Sequence, residues 1–416
     1  MTGARVGKGQ EINSQHQGGF DIPVHKKIAI LAVAAFCLFG SELLGAVTHP
    51  VRRSRTNVSS TSQPALRSTS RSTVSSTRST SKTTARRSRA RRRPNPWRIS
   101  SYGDPAVGDN PAGEDPLVRE AALEALGKWN GSVVVVDPNS GRILSIVNQP
   151  LALSSAFTPC STFKPVVALA ALKEGLITSE TKLRVGRRTR MDLTEALAHS
   201  NNPFFATLGR QLGFDRLFEL AHRFGFGEKT GLNIPGESPG RFPEEAPKEG
   251  GVGLMSSHGK AIEVTPLQMA AVISAIANGG TVYHLQYPRT PEEIEQLQPQ
   301  VRGRLDDLTD YFPHVRQGMA AAVLYGTARS AFDPEEQIYG KTGTCSEDGA
   351  RLGWFASYSS EQQPKYVVVV LLRGGRMVYG PHAAEIAGRF YRGLRLKEQP
   401  PTQASAPPPL IGGFRP

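Results

Sequence analysis

Acidic residues are nearly missing from the first hundred positions, which carry 18 Lys and Arg against 3 Asp and Glu, a balance of +15. The remaining positions carry 32 against 33, a balance of −1, and the two sum to the +14 of the whole chain. The surplus of cations therefore belongs to the amino-terminal segment. The rest of the chain has no basic excess from which to build the positive face that nucleic-acid binding needs, so no nucleic-acid partner is expected. No internal repeat runs through the chain, which excludes a solenoid or a propeller. The nine histidines are scattered, without the spacing of a metal centre. Cysteine is scarce as well: Cys37, Cys160 and Cys345 are the three.

From Val51 to Arg93 acidic residues are absent and apolar ones sparse, with 20 Ser/Thr and 12 Arg in 43 positions. Such a segment cannot bury enough surface to offset the entropy of ordering, and its own charge extends it. It reads as a solvated tether or, more specifically, as a polybasic arm for anionic lipid head groups or wall polymers. Pro94 to Pro116 continues as Pro/Gly-rich linker, so linker is expected over 48–116, and residues 397–416 form a Pro-rich tail. Ahead of the linker, Ile28 to Val47 is a run of twenty residues with one charge, Glu42, about the length that spans a bilayer core. The small-residue cleavage pattern of a signal peptide is poor there, so the run reads as an uncleaved single-pass anchor behind a short tail, residues 1–27. His25-Lys26-Lys27 before the span and Arg52, Arg53 and Arg55 after it leave the orientation undecided on charge.

Patterned sequence lies between, over about residues 117–396, enough for one domain with an ample core. Val133–Val147 reads as a hairpin around a D-P-N-S-G turn. Helical patterns come next at Phe163–Glu174, Leu193–Leu212, Pro266–Asn278 and Val315–Tyr325. Strands return at Gln337–Thr344, Leu352–Tyr358 and Lys365–Leu372, before a last helix at His382–Arg392. Strands at both ends with helices between them predict an α+β fold, a mainly antiparallel sheet with helices on its faces.

The stretch P-C-S-T-F-K-P, Pro159–Pro165, sets Ser161 and Lys164 three residues apart, hence on one face of a helix. Pro165 fits that helix in its first turn, where backbone N–H groups lack partners anyway. A serine hydroxyl needs a base to take its proton, and a lysine serves only where desolvation or a second cation holds it neutral. The helix N-terminus adds N–H groups and a positive dipole end for a developing oxyanion. Alone, S-x-x-K fits a capping serine near a surface lysine equally well. Two further motifs accompany it. Ser200-Asn201-Asn202 gives S-x-N, and Lys341-Thr342-Gly343-Thr344 gives K-T-G-T on an expected strand, with Lys341 and Gly343 facing one way and Thr342 and Thr344 the other. S-x-x-K, S-D-N and K-T-G together are the set found in class A β-lactamases and penicillin-binding proteins.

With F-G-F-G-E-K-T-G-L-N-I-P-G-E (Phe224–Glu237), V-T-P-L-Q-M-A (Val264–Ala270), A-I-A-N-G-G (Ala275–Gly280), G-T-A (Gly326–Ala328) and G-W-F-A-S-Y (Gly353–Tyr358), residues 125–395 resemble the transpeptidase domain of penicillin-binding proteins, class B-like. The resemblance implies a β-lactamase/transpeptidase-like fold: a five-stranded antiparallel sheet between an all-helical lobe and flanking helices. It also implies a peptidoglycan D,D-transpeptidase that acts on D-Ala-D-Ala stem peptides, is inhibited by β-lactam antibiotics and uses no metal or organic cofactor.

Carried over by motif, Ser161 is the expected nucleophile and Lys164 its base. Ser200 relays the proton to the leaving amine, and Asn202 holds the substrate amide and the lysine. Lys341 supplies positive potential for the terminal carboxylate, with Thr342, Gly343 and Thr344 lining the substrate strand. Backbone N–H groups of Ser161 and Thr344 form the oxyanion hole. His199 and His258 adjoin motif regions, where histidines more often have structural roles. Because lipid-linked peptidoglycan is cross-linked outside the cytoplasmic membrane, the same resemblance makes the domain extracytoplasmic, with divisome or elongation-complex proteins as candidate partners.

The pattern departs from the family in two places. Linker stands where class B members carry a non-catalytic domain and class A members a glycosyltransferase, so no glycan polymerisation is expected. Cys160 and Cys345 replace the family's usual Gly before the nucleophile and Ala after K-T-G-T. Where Ser161 and Thr344 share one oxyanion, their neighbours come close, and a bridge at these relative positions resembles that of some class A carbapenemases. A Cys160–Cys345 disulfide is therefore expected, Cα atoms within about 7 Å, in an oxidising compartment. Two readings compete with the transpeptidase. A serine β-lactamase or D,D-carboxypeptidase would use water as acceptor, and a non-catalytic β-lactam sensor or divisome scaffold would survive loss of Ser161.

Overall fold

The computed structural model describes residues 99–232, 235–360 and 363–399. The short tail, the run at 28–47, the low-complexity segment and the residues from 400 onward lie outside the described residues. Among the described residues no helix is long and apolar enough to cross a membrane.

Strands β1 (Gly131–Val136), β2 (Ile143–Val147), β3 (Ile338–Glu347), β4 (Ala350–Ser359) and β5 (Val367–Gly374) form one sheet in the order β2-β1-β5-β4-β3. Every neighbouring pair is antiparallel. The helices that frame the sheet and the site include α1 (Pro116–Leu126), α2 (Lys164–Lys173), α3 (Leu193–Ala198), α4 (Asn202–Leu212), α5 (Gly251–His258), α6 (Pro266–Asn278) and α7 (Gly380–Glu398). The two-residue period of a strand sorts side chains to opposite faces. Val134, Val136, Trp354, Ala356, Val369 and Leu371 enter one core with the helices of the central lobe, α2 and α6 among them. Val133, Val135, Phe355, Val368 and Val370 enter a second core with α1 and α7. Both faces are covered, so V-V-V-V reads as an unbroken apolar run. Helix α6 shows the local logic most plainly: Thr265 and Gln268 form a capping box, and Gly279 ends the helix at φ 88°.

Three expectations are corrected. The helix expected over Leu193–Leu212 is two helices, α3 and α4, separated at Ser200, whose φ is +54°. Asn201 caps α4 by accepting from the Phe204 N–H, and Pro203 has no N–H with which to continue an earlier helix. The helix carrying Lys164 does not contain Ser161, because Cys160–Phe163 is a 3-10 turn and α2 begins at Lys164. The linker expected up to 116 gives way to folded chain from residue 99. Ser101 is buried and its Oγ accepts from Gly375 N–H at 2.9 Å, while Glu114 is buried against Ser145, Ile146 and Arg119. Asp109 accepts from the Asn148 and Gln149 N–H groups and pairs with Arg119 at 2.9 Å. The Pro/Gly-rich composition hid these carboxylates, whose partners lie elsewhere in the chain. Helices at Gln149–Ser154, Phe214–Arg223 and Gly251–His258 also lacked a readable pattern, and the last helix runs to Glu398 rather than Arg392.

Candidate active site

The turn that carries Ser161 is tightly built. Cys160 takes a left-handed φ of +52°, Thr162 Oγ1 donates to the Pro159 carbonyl at 2.6 Å, and the Lys164 N–H closes the turn onto the Ser161 carbonyl. In a 3-10 turn residues three apart are eclipsed, so Ser161 and Lys164 share a face as firmly as on an α-helix. Lys164 is completely buried at the start of α2. Its Nζ donates to the Ser200 carbonyl and to Asn202 Oδ1, each at 2.6 Å, and lies 3.0 Å from Ser200 Oγ. The break between α3 and α4 is what turns both Ser200 and Asn202 toward the amine. Burial, and after it the second cation at Lys341, push the Lys164 pKa down to about 6.

The K-T-G-T residues lie on β3, at one edge of the sheet, where among the described residues no further strand pairs with its outer side. The expected alternation holds. Gly343 faces the nucleophile turn so closely that a Cβ there would sit 2.9 Å from the Pro159 carbonyl oxygen and 3.2 Å from Thr162 Cγ2. On the other side, Thr342 Oγ1 lies 2.7 Å from Thr327 Oγ1, and Thr344 Oγ1 accepts from the Gly380 N–H at the start of α7 at 2.8 Å. Lys341 is completely buried, its Nζ donates to the Thr342 carbonyl at 3.0 Å, and burial pushes its pKa down to about 7. The Cα atoms of Cys160 and Cys345 are 5.7 Å apart and their sulfurs lie at bonding distance, so the turn meets the strand here too.

Of the two histidines beside the motifs, the structure brings one to the site. His258 Nε2 is 3.0 Å from Asn202 Nδ2, whereas His199 is exposed and pairs with Glu195 at 3.3 Å. Thr327 and Gly380 went unassigned from sequence. G-T-A was visible as a motif but pointed to no partner, and Gly380 carried no local signal. Beside the site opens a cleft of about 770 Å³, bordered by Thr158, His258, Cys345 and Glu347. Glu347 accepts from Thr158 Oγ1 at 2.5 Å, and burial raises its carboxyl above the usual range. Chemically the constellation offers a serine on the same face as an amine whose burial lowers its hold on a proton, a second hydroxyl 3.0 Å from that amine, and a second buried lysine.

A family model described as the penicillin binding protein transpeptidase domain matches residues 131–392. The chain belongs to this family. Stage V sporulation protein D of Bacillus subtilis is 30% identical over 284 residues, covering 60% of this chain and 43% of that protein. Peptidoglycan D,D-transpeptidase FtsI of Escherichia coli K12 is 25% identical over 308 residues, covering 64% of this chain and 51% of that protein. The chain thus spans about half the length of the curated relatives it matches. The TP domain of Burkholderia pseudomallei penicillin-binding protein 3 superposes with a TM-score of 0.61 at 22% identity, over 70% of this chain and 98% of that one. That likeness shows the transpeptidase-domain fold.

Proposed function

We propose that this chain is a peptidoglycan D,D-transpeptidase that cross-links stem peptides ending in D-Ala-D-Ala and is acylated by β-lactams at Ser161. The observation that carries the reading is the state of Lys164: buried, pushed to about 6, and bonded to both Ser200 Oγ and Asn202 Oδ1. Ser161 Oγ attacks the carbonyl between the two D-alanines while Lys164 takes its proton. The C–N bond then breaks, the proton passes through Ser200 to the departing D-alanine amine, and an ester remains on Ser161. A second stem's amine attacks that ester, restoring the serine hydroxyl and forming the cross-link. Backbone N–H groups of Ser161 and Thr344 hold the oxyanion, and the unpaired edge of β3 offers an extended substrate a strand to pair with. A terminal carboxylate beside Lys341 would raise that amine's pKa and fix its charge.

The same reading takes residues 28–47 as a single-pass anchor with the catalytic domain outside the cytoplasmic membrane. There an oxidising medium supports a Cys160–Cys345 disulfide. Labelling the full-length chain in detergent with a fluorescent penicillin tests the proposal. The expected result is a long-lived adduct on the wild type and none on Ser161→Ala. An adduct that turns over rapidly would mark a β-lactamase, and no adduct on the wild type would overturn the assignment.

A further inference from the structure

His258 stands outside the three motifs, at the carboxyl end of α5, yet it touches one of their side chains. Its Nε2 is 3.0 Å from Asn202 Nδ2 and its Nδ1 is 2.8 Å from Ser257 Oγ, which is itself 2.7 Å from the Gly253 carbonyl oxygen. One assignment of protons satisfies all three contacts. The Gly253 carbonyl can only accept, so the Ser257 hydroxyl gives it its single hydrogen. Ser257 Oγ then accepts from His258 Nδ1–H, which leaves Nε2 as the lone pair of a neutral ring. Nε2 accepts from Asn202 Nδ2, and the other end of the same carboxamide, Oδ1, accepts from Lys164 at 2.6 Å. An unbroken chain of matched donors and acceptors runs from a backbone carbonyl to the amine of Lys164.

We propose that His258 is a positioning residue for acylation: accepting from Asn202, it fixes that carboxamide with its oxygen toward Lys164, and protonation of the ring disarms the site. This rests on the acyltransferase reading of Ser161 and Lys164. A protonated ring sets Nε2–H against the Asn202 N–H, donor against donor. The carboxamide is relieved by turning over, which points its NH2 at Lys164 and removes an acceptor from the amine. The charged groups around the ring are Lys164 from α2 and, along the cleft, Arg241, Glu249, Lys260, Glu263, Glu347 and Asp348. Arg241 and Glu263 neutralise each other at 2.5 Å, and Glu347 is bonded to Thr158. Burial and Lys164 decide the outcome and hold the ring below the usual histidine value, so it is neutral at neutral pH.

The test uses the full-length chain in detergent and the second-order rate of acylation by a fluorescent penicillin from about pH 5 to 8, with thermal midpoints taken alongside. Acylation needs both Lys164 and His258 neutral, so the wild-type rate falls as pH drops through about 6, where Lys164 gains its proton, and falls more steeply than one protonation allows once His258, held below the usual histidine value, is protonated as well. His258→Gln, whose Oε1 accepts from Asn202 without titrating, acylates at nearly the wild-type rate at pH 7.5 and falls with a slope of about one. His258→Ala slows acylation by about tenfold or more at that pH, because Asn202 loses its orientation. His199→Ala, away from the site, tracks the wild type throughout. A wild-type profile no steeper than that of His258→Gln at pH values where NMR shows the ring protonated, or His258→Ala acylating as fast as the wild type, would overturn the proposal alone. A wild type that no penicillin acylates at any pH would overturn it together with the reading beneath it.

Discussion

The two sides of the site are held by different forces. On the side proposed to hold the oxyanion, the Ser161 turn meets the edge strand through backbone-close packing at Gly343 and through the Cys160–Cys345 pair. On the side of the proton, Lys164, Ser200, Asn202 and His258 are joined to one another by hydrogen bonds. The first side is mechanical: none of its contacts titrates near neutrality. The second is electrostatic, and two of its members, Lys164 and His258, have pKa values displaced by burial. On the proposed reading, where the carbonyl is gripped is therefore separate from when the serine is activated. pH and charge substitutions should act on the second side, and stability substitutions on the first.

The largest expected effect is on the electrostatic side. Lys164→Gln keeps a long polar side chain in the buried site but removes the base, so acylation falls by about a thousandfold, within the range that general bases contribute. Its thermal midpoint stays level or rises, since a buried amine that has lost most of its charge affinity adds little to stability. In the wild type, acylation rises with pH through the region near 6, because Lys164 accepts a proton only once it has lost its own. Measuring rate and midpoint on the same preparation separates the two sides. A Gln variant that retains a tenth of the wild-type rate would mean that Lys164 is not the base.

How much of this division the sequence exposes depends on the range of the forces. The three motifs were readable because each is local, and α6 was readable with its bounds because Thr265, Gln268 and Gly279 announce both of its ends. The break at Ser200 was not, since apolar residues continue at helical spacing from Leu193 through Leu208 and the interruption rests on Asn201 and Pro203. That Lys164 must be neutral is legible in S-x-x-K, yet the cation that helps to impose it, Lys341, is placed there only by the fold. Folded chain at 99–116 was missed for the same reason: Asp109 and Glu114 look like linker carboxylates until Arg119, Asn148 and Ser145 surround them.

The next effect in size belongs to the mechanical side. A bridge closing a separation of 185 residues carries a chain-entropy ceiling of about 5 kcal/mol, and measured disulfides more often give about 2–4 kcal/mol. Cys345→Ala, or dithiothreitol on the wild type, should therefore lower the thermal midpoint by several degrees while leaving the shape of the pH–rate profile unchanged. A profile that shifts on reduction would mean that the two sides are coupled. A midpoint indifferent to reductant would mean that the cysteines hold nothing.

The smallest effect asks which of the two mechanical devices imposes the conformation of the turn. Cys160 sits at φ +52°, a region that favours glycine and costs other residues about 1 kcal/mol or more. Its backbone is packed against Gly259 so closely that a Cβ there would lie 2.9 Å from the Cys160 nitrogen and 2.9 Å from its oxygen. With the bridge already removed by Cys345→Ala, Cys160→Gly should be more stable than Cys160→Ser by about 1 kcal/mol, read from thermal or urea unfolding. That difference persists only if packing at Gly259 and Gly343 keeps the turn left-handed after the sulfurs part. Equal stabilities, with slower acylation in both, would show instead that the turn relaxes once released, so that the cysteine pair itself bends the backbone into the nucleophile's position.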